Sequence, residues 1–453
     1  MAAHELSLTQ AALEIREGRL SAVELAQACL DRVKEVEDRV QAWTFLDPQH
    51  VLAQAERADD WRRHGKPVPP LHGVPIGIKD IFDTADMPTQ FGSPIHAGRT
   101  PRKDAACVAR LRAAGAVIMG KTVTTEFAYF HPGKTRNPHD PKRTPGGSSS
   151  GSAAAVAAGM APGAIGSQTN GSVIRPASFC GVVGYKPTHG LIPRSGALLL
   201  SRALDHVGVF ARTIEDAALL AQCMAGHDEG DPDTRPIAVP PLLEIARQEP
   251  PLVPRFALVK TAVWDQAEKD TRDGFAALME KLGDAAEEID LSASTRPIHD
   301  LHAIIMQVEM AENLRPELTR AREKLSAPLL DLLDQGTRRL AVEYRRALDL
   351  AAPMADALES VFDEFDAIVT PAAAGEAPPG LTATGSPAFC TIWSYLGLPA
   401  ITLPLLQSSN GMPIGVQLVG KRGNDARLLR TARWLVQHLN GRGKRAPAKG
   451  KKR

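Results

Sequence analysis

The chain has 453 residues, 43% of them hydrophobic and 23% charged, which is typical of an ordinary globular protein. Its formal net charge is +1, so the sequence gives no reason to expect a nucleic acid or an anionic membrane as a partner. The cysteines stand singly, which argues against structural zinc and a disulfide scaffold and favours a reducing, cytoplasmic location. We find neither a signal-peptide pattern nor an apolar run long enough to span a bilayer.

The first part of the chain predicts two capped helices and then alternating strands and helices. Capping-box patterns begin at Ser7 and Ser21, and Gly18 is a plausible end of the first helix. VPIGI, ahead of Lys79, is typical of a short buried strand. CVARLRAAG and SAAAVAAGM predict helices, and AVIMGKT between them predicts a strand.

The pattern changes after Pro193. A proline-rich connector runs from Asp231, followed by strand PRFALVK, helix TRDGFAALMEKLG and strand AAEEIDL. Residues 299–365 are mostly helical and amphipathic, as a flanking layer would be. FDAIVTP, LPAITLPL and IGVQLVG predict strands, and DARLLRTARWLVQHL a closing helix. We therefore predict an α/β fold, a single large domain over residues 1–440 with a mixed β-sheet covered by helices on both faces. Residues 441–453 are basic and are interpreted as a disordered tail.

Two serines and a lysine suggest acyl-transfer chemistry without a metal. Ser172 lies in QTNGSVIRP, where a turn of small residues can point several N–H groups at a developing oxyanion, although an isolated NGS is ordinarily a plain turn. Lys79 lies in an apolar run, and burial would lower its pKa so that the amine acts as a base, unless it pairs with Asp80 or Asp83. Ser148 begins SSSGS, which leads into an apolar run and therefore predicts a tight turn, not a linker.

These motifs resemble those of the amidase signature family. GIKD surrounds Lys79, PGGSSSGSAAAVAAG surrounds Ser148, and the run from GSQTNGS to CGVVGYKPTHG surrounds Ser172. MGKTVTTEFA, LPAITLP and PIGVQLVG also match, so the resemblance covers the chain up to about Leu439.

The resemblance implies a Ser–cis-Ser–Lys triad. Ser172 matches the nucleophile, Lys79 the base, and Ser148 the bridging serine whose peptide bond is cis. The backbone N–H groups of Thr169, Asn170, Gly171 and Ser172 would form the oxyanion hole. The resemblance implies no metal and no cofactor, a small-molecule amide substrate, and a homodimer.

Two charges of the common family pattern are missing around Ser172. An Asp is replaced by Gln168 and an Arg by Ile174, which suggests a coupled replacement. Arg175 stands three residues after Ser172, as in the malonamidase-like branch, where the matching arginine binds a substrate carboxylate. A structural role for Arg175 is equally open. Ser167 replaces a threonine and Asn170 a glycine, and the asparagine side chain would narrow the acyl pocket.

The sequence therefore predicts an amidase that hydrolyses a small carboxamide to a carboxylate and ammonia, with a preference for carboxylate-bearing amides such as malonamate. Two alternatives stay open: an amidohydrolase of urea-like compounds in nitrogen catabolism, and the amidase-like subunit of a tRNA-dependent amidotransferase. A non-catalytic scaffold is disfavoured because Lys79, Ser148 and Ser172 are all retained. The sequence does not identify the substrate.

Overall fold

The structure, a computed structural model, describes residues 2–441. Its centre is one 11-stranded sheet, with the strands in the spatial order β1-β3-β2-β4-β6-β5-β10-β11-β9-β7-β8. The strands are β1 Trp43–Phe45, β2 Pro75–Lys79, β3 Val117–Thr122, β4 Gly163–Gln168, β5 Val183–Lys186, β6 His206–Ala211, β7 Phe256–Lys260, β8 Ala286–Asp290, β9 Ala367–Pro371, β10 Ala400–Gln407 and β11 Pro413–Val419.

Helices cover this sheet. They are α1 Leu8–Arg16, α2 Ala22–Val40, α3 Pro48–Arg63, α4 Ala106–Ala113, α5 Ser150–Ala157, α6 Ile174–Cys180, α7 Ile214–Met224, α8 Leu242–Arg247, α9 Lys269–Leu282, α10 Ser292–Asn313, α11 Arg315–Arg320, α12 Ala327–Arg338, α13 Ala341–Glu359, α14 Val361–Glu364, α15 Ala388–Tyr395 and α16 Asp425–Leu439. Within residues 2–441, no helix combines the length and the apolar character needed to cross a bilayer.

The sheet is mixed. β2 runs parallel to both β3 and β4, whereas β4, β6, β5, β10, β11 and β9 pair antiparallel in succession. β7 is parallel to β8 and β9. The prediction of a single large α/β domain with a mixed sheet is confirmed.

Local sequence signals account for the beginnings of the first two helices. Ser7 and Ser21 each accept a hydrogen bond from the backbone N–H three residues on, so both capping boxes form. Gly18 follows the first helix with φ of 74°, a left-handed conformation that glycine adopts without a Cβ clash.

The sequence also made predictions about the connector from Asp231 and about the C-terminal tail. The proline-rich connector from Asp231 is not wholly irregular, because α8 forms inside it and buries Leu242 and Ala246. The tail predicted for residues 441–453 lies outside the described residues from position 442 onward.

Candidate active site

Lys79 ends strand β2 and is completely buried. Its Nζ donates to Ser148 Oγ at 2.7 Å and to Ser167 Oγ at 2.8 Å. Burial holds the pKa of Lys79 well below its usual range, and the nearby Asp205 carboxylate opposes this shift only in part. The lowered pKa favours the neutral amine, which can accept a proton.

Ser148 lies in a tight turn ahead of α5. The Gly147–Ser148 peptide bond is cis, as the resemblance implied. A Cβ added at Gly147 would lie 2.7 Å from Thr384 Cγ2, so only glycine fits there. The Ser148 carbonyl accepts a hydrogen bond from Thr125 N at 3.2 Å.

Residues 169–172 form the turn between β4 and α6, here called the oxyanion turn. Its four backbone N–H groups have no acceptor within the described part of the chain. A Cβ at Gly171 would lie 2.9 Å from Pro387 Cβ and 3.3 Å from Cys390 Sγ, which shows how closely α15 packs beneath the turn. Ser172 faces the same pocket as the turn, and its hydroxyl makes no direct hydrogen bond to Ser148.

Gln168 makes uncharged hydrogen bonds at the position where the common family pattern has an Asp. Its Oε1 accepts from Val173 N at 2.9 Å and from Ile174 N at 3.0 Å, while Nε2 donates to Ser394 Oγ at 3.0 Å. A neutral amide thus satisfies the first N–H groups of α6 without a charged partner. The replacement of an Asp and an Arg by Gln168 and Ile174 is structurally consistent.

Asn170 is held by two hydroxyls of α15. Thr391 donates to its Oδ1 at 2.8 Å, and Ser394 donates to its backbone oxygen at 2.5 Å. Asn170 is not among the described residues with positive φ, so the turn needs no left-handed conformation at this position. Asn170 is among the residues that line the pocket beside Ser172.

Arg175 combines a structural role with an unusual charge environment. Its guanidinium donates to the carbonyls of Gly147 at 2.7 Å and Gly385 at 2.8 Å, and so ties the Ser148 turn to α6. Its Nε has no hydrogen-bond partner, and no carboxylate of the described chain lies within ion-pair distance. Burial accordingly lowers the pKa of Arg175 to about 10.

A narrow pocket, partly open to solvent, lies over the oxyanion turn. Its polar wall consists of residues 169–172 and Arg175, and its apolar wall includes Met306 and Met310 from α10. The remaining lining residues are Ala128, Tyr129, Phe130, Leu200 and Pro387. Such an arrangement suits a small substrate whose reacting carbonyl meets the N–H groups of the turn.

Three residues at this site received no role from the sequence. Ser167 is a second acceptor for Lys79. The one sequence signal for this role was that Ser167 replaces a threonine of the family pattern, so a hydroxyl is kept at this position. Ser394 and His302 hold the oxyanion turn from α15 and α10. Neither lies in a recognisable motif, because each contact joins segments far apart in the chain.

The comparisons with known proteins agree with this geometry. The family profile described as Amidase matches residues 24–429. A glutamyl-tRNA(Gln) amidotransferase subunit from Chloroflexus aggregans is 34% identical, over 94% of this chain and 95% of that protein.

Two solved structures share the fold closely. One, from a vestigial protein complex that reveals the evolutionary origins of an s-triazine catabolic enzyme, has a TM-score of 0.89 and 29% identity over 97% of this chain and 100% of that one. The other, native peptide amidase from Stenotrophomonas maltophilia, has a TM-score of 0.82 and 29% identity over 98% and 99% of the two chains. This chain therefore belongs to the amidase signature family and is a hydrolytic amidase.

Proposed function

We propose that the enzyme cleaves a small carboxamide through an acyl-enzyme on Ser172, with Lys79 and Ser148 as its proton relay. The observation that carries this proposal is the 2.7 Å hydrogen bond from the buried Lys79 amine to the Ser148 hydroxyl. A desolvated lysine without a carboxylate contact at that distance is suited to accept a proton. A lysine kept charged for structural reasons would instead be paired with an acid.

In the first half-reaction, Ser148 passes its proton to Lys79 as it takes the proton of Ser172. The Ser172 oxygen bonds to the substrate carbonyl carbon, and the carbonyl electrons move onto the oxygen. When the C–N bond breaks, the relay returns the proton to the leaving nitrogen and ammonia departs. Water then attacks the ester by the same relay and releases the carboxylate. The contact between Ser148 and Ser172 would tighten during the reaction, since catalytic hydrogen bonds are often loose before substrate binds.

The four N–H groups of the oxyanion turn are proposed to hold the negative oxygen of each tetrahedral intermediate. Their support is that they are oriented by protein contacts yet have no acceptor within residues 2–441. Preorganised donors of this kind cost no reorganisation when charge develops.

We further propose that Arg175 recognises a carboxylate on the substrate, as in malonamate. The support is a buried guanidinium that lines the pocket and whose charge no protein carboxylate of residues 2–441 compensates. Burying an unpaired charge is costly, and an anionic substrate would relieve that cost while accepting from Nε. The Gly147 and Gly385 contacts hold the guanidinium in place.

Two other functions have specific support. The 34% identity to an amidotransferase subunit favours a role in which the amide is glutamine and the ammonia goes to a partner. The structural likeness to a protein of the complex connected with s-triazine catabolism supports the alternative of a role in nitrogen catabolism. Turnover by the isolated chain would argue against the amidotransferase role, which needs a partner, and the compound that is turned over would separate an amide from a urea-like substrate.

The first test is ammonia release by the purified chain from malonamate, simple aliphatic amides, aryl amides, urea derivatives and glutamine. We expect release from at least one of the amides, and none by Ser172→Ala. Thr382→Ala, which alters an exposed hydroxyl residue of the loop before α15, should match the parent. Equal release by Ser172→Ala would refute the nucleophile assignment.

The second test separates recognition from structure at Arg175. Arg175→Gln should lower kcat/KM for malonamate relative to propionamide, which lacks the carboxylate, by about tenfold to hundredfold, the value of a hydrogen bond to a charged group. If Arg175 only ties the two loops together, kcat/KM should fall by the same factor for both substrates, and the ratio of the two kcat/KM values should stay unchanged.

The cytoplasmic location and the homodimer stay proposals. The buried thiols of Cys29, Cys107, Cys180 and Cys390, none of them in a disulfide, support a reducing compartment.

A further inference from the structure

Thr169, the first residue of the oxyanion turn, is held from two sides. Its hydroxyl donates to Asp205 Oδ1 at 2.6 Å, and its backbone oxygen accepts from His302 Nε2 at 3.1 Å. These contacts come from the segment before β6 and from α10, so two distant parts of the chain meet at Thr169.

Asp205 is itself firmly placed. Its Oδ2 accepts from Leu200 N at 2.8 Å and from Ser201 N at 3.0 Å, and its backbone oxygen accepts from Arg194 Nη1 at 3.2 Å. The carboxylate is buried, and its donors are the Thr169 hydroxyl and the two backbone N–H groups of Leu200 and Ser201. It can therefore fix the Thr169 hydroxyl in one orientation.

His302 is equally constrained. A carbonyl oxygen only accepts, so the Nε2 that contacts Thr169 must carry the ring hydrogen. The ring is buried in α10, and burial lowers the pKa of His302 to about 4, which keeps the imidazole neutral.

The same face of α10 secures the segment that carries Asp205. Asn313 Nδ2 donates to Leu200 O at 3.0 Å, and Glu309 accepts from Ala203 N at 3.2 Å and from the Ser201 hydroxyl. Residues 302, 309 and 313 recur at helical spacing, so a single helix face supports both partners of Thr169.

We propose that His302 and Asp205 are positioning residues that fix the Thr169 peptide unit and thereby aim the N–H groups of the oxyanion turn at the reacting oxygen. The inference rests on the proposed acyl-enzyme chemistry. A turn of small residues rotates easily, and donors that reorient during the reaction lose much of their stabilising effect on the transition state. Holding Thr169 by its side-chain hydroxyl and its backbone carbonyl oxygen removes that freedom.

The decisive experiment compares three variants of α10 with the amide on which the parent is most active. His302→Leu removes the donor and should lower kcat about tenfold to hundredfold with KM within about twofold, because the loss concerns the transition state. His302→Gln places an amide donor in the same region and should recover most of kcat. His299→Leu, on the same helix with a half-buried ring whose Nε2 has no partner, is the matched control and should leave kcat unchanged.

A second pair tests the Asp205 contact without touching the buried carboxylate. Thr169→Val keeps the side-chain shape but removes the hydroxyl, and kcat should fall with little change in KM. Thr169→Ser restores the hydroxyl and should restore kcat. Should His302→Leu fail to fold, this pair still decides the question.

The proposal is overturned if His302→Leu and Thr169→Val keep the parent's kcat. It is also overturned if both variants change kcat and KM together and lower Tm, while His302→Gln and Thr169→Ser restore neither. Ser172→Ala is run alongside. If it stays active, the proposed function fails; if it is inactive while His302→Leu and Thr169→Val are unaffected, only the positioning role fails.

Discussion

Lys79 shares its burial with two other lysines, Lys121 and Lys186, so burial by itself does not identify a base. Burial lowers the pKa of Lys121 to about 8, and that amine faces Asp80 at 3.7 Å. It lowers the pKa of Lys186 to about 7, and that amine donates to the Leu398 carbonyl at 2.5 Å. Lys121 also donates to the hydroxyls of Thr84 and Thr89, but it donates to the Phe82 carbonyl as well. Among the three lysines, Lys79 differs because its side-chain hydrogen bonds go to serine hydroxyls alone, and these can carry a proton onward.

Replacing Lys79 by Met should separate catalysis from stability. Turnover should fall by about 10²–10⁴-fold with loss of the base. Unfolded Lys79 binds a proton up to a pH of about 10.4, whereas the folded amine loses it at its lowered pKa. Between these values the unfolded state binds more protons, so the Lys79 contribution makes the free energy of unfolding rise with pH.

Thermal unfolding of the parent and Lys79→Met across this pH range checks the sign. The variant should show a weaker rise of Tm with pH and no loss of Tm near neutrality. Lys121→Met is the contrasting control, since it leaves Asp80 without its cation and should lower Tm. Identical pH slopes for the parent and Lys79→Met would contradict a lowered Lys79 pKa.

At Gln168 the expected effect is structural. Gln168→Leu leaves the N–H groups of Val173 and Ile174 unpaired in a buried site and should cost about 1–3 kcal/mol of stability. Gln168→Glu keeps the acceptor but buries a charge, so the Glu variant should gain stability as pH falls and its carboxyl becomes protonated. Urea unfolding at two pH values measures both effects, and a pH-independent Glu variant would argue against the burial of this site.

The sequence was most informative where residue type alone carries chemistry. The pairing of Lys79 with Ser148, and the cis bond before Ser148, agree with what the motifs implied. The role of His302 could not be predicted, because nothing in the local sequence marks it and its partner lies far away in the chain. Arg175 illustrates an intermediate case, since its position was predictable but its contacts with Gly147 and Gly385 were not.

At the scale of elements, the sequence predicted several amphipathic helices and several short apolar strands, among them the wholly buried β2 and β3. α2, α9 and α16 show the amphipathic spacing that makes such helices recognisable. α6 and α15, in which essentially all residues are buried, were not predicted, whereas the equally buried α5 was predicted from its run of small residues. α6 and α15 are the two short helices that frame the oxyanion turn.

The packing of α6 on the sheet gives a prediction at this scale. A Cβ at Gly184 in β5 would lie 2.4 Å from the Cβ of Ala177 in α6, so Gly184→Ala should push α6 outward. Since α6 begins just after Ser172, both Tm and kcat should fall. Ala177→Gly in the same chain removes the opposing methyl and should recover part of both, because Val173 O remains close at 3.1 Å. No recovery in the double variant would mean that the damage arises elsewhere.

For the whole molecule, the order of the strands explains how distant segments form one site. β2 and β4 are parallel neighbours, so Lys79 and Ser167 emerge at the same edge of the sheet. α10 then closes the site from outside with Met306, Met310 and His302. The packing of α10 over the site could not be predicted from the fold class, because side-chain contacts between layers leave no periodic signal in the sequence.

The predicted boundary of the domain can be tested by truncation. A chain that ends at Gly441 retains all of α16, including buried Leu428, Leu429 and Leu435, and should keep the parent's Tm and turnover. A chain that ends at Asn424 lacks those side chains and should not fold. Loss of activity in the longer truncation would assign a role to residues 442–453.

The position of Cys390 beneath Gly171 has a practical consequence. The thiol is buried and burial raises its pKa to about 12, so an alkylating reagent attacks it only when the pocket floor opens. Once attached, the bulky adduct has no space under a turn that leaves only 3.3 Å for a single methyl group. Thiol reagents would thus inactivate the enzyme slowly and completely, at a rate set by local opening of the protein, and such inactivation would not by itself identify a cysteine as the nucleophile.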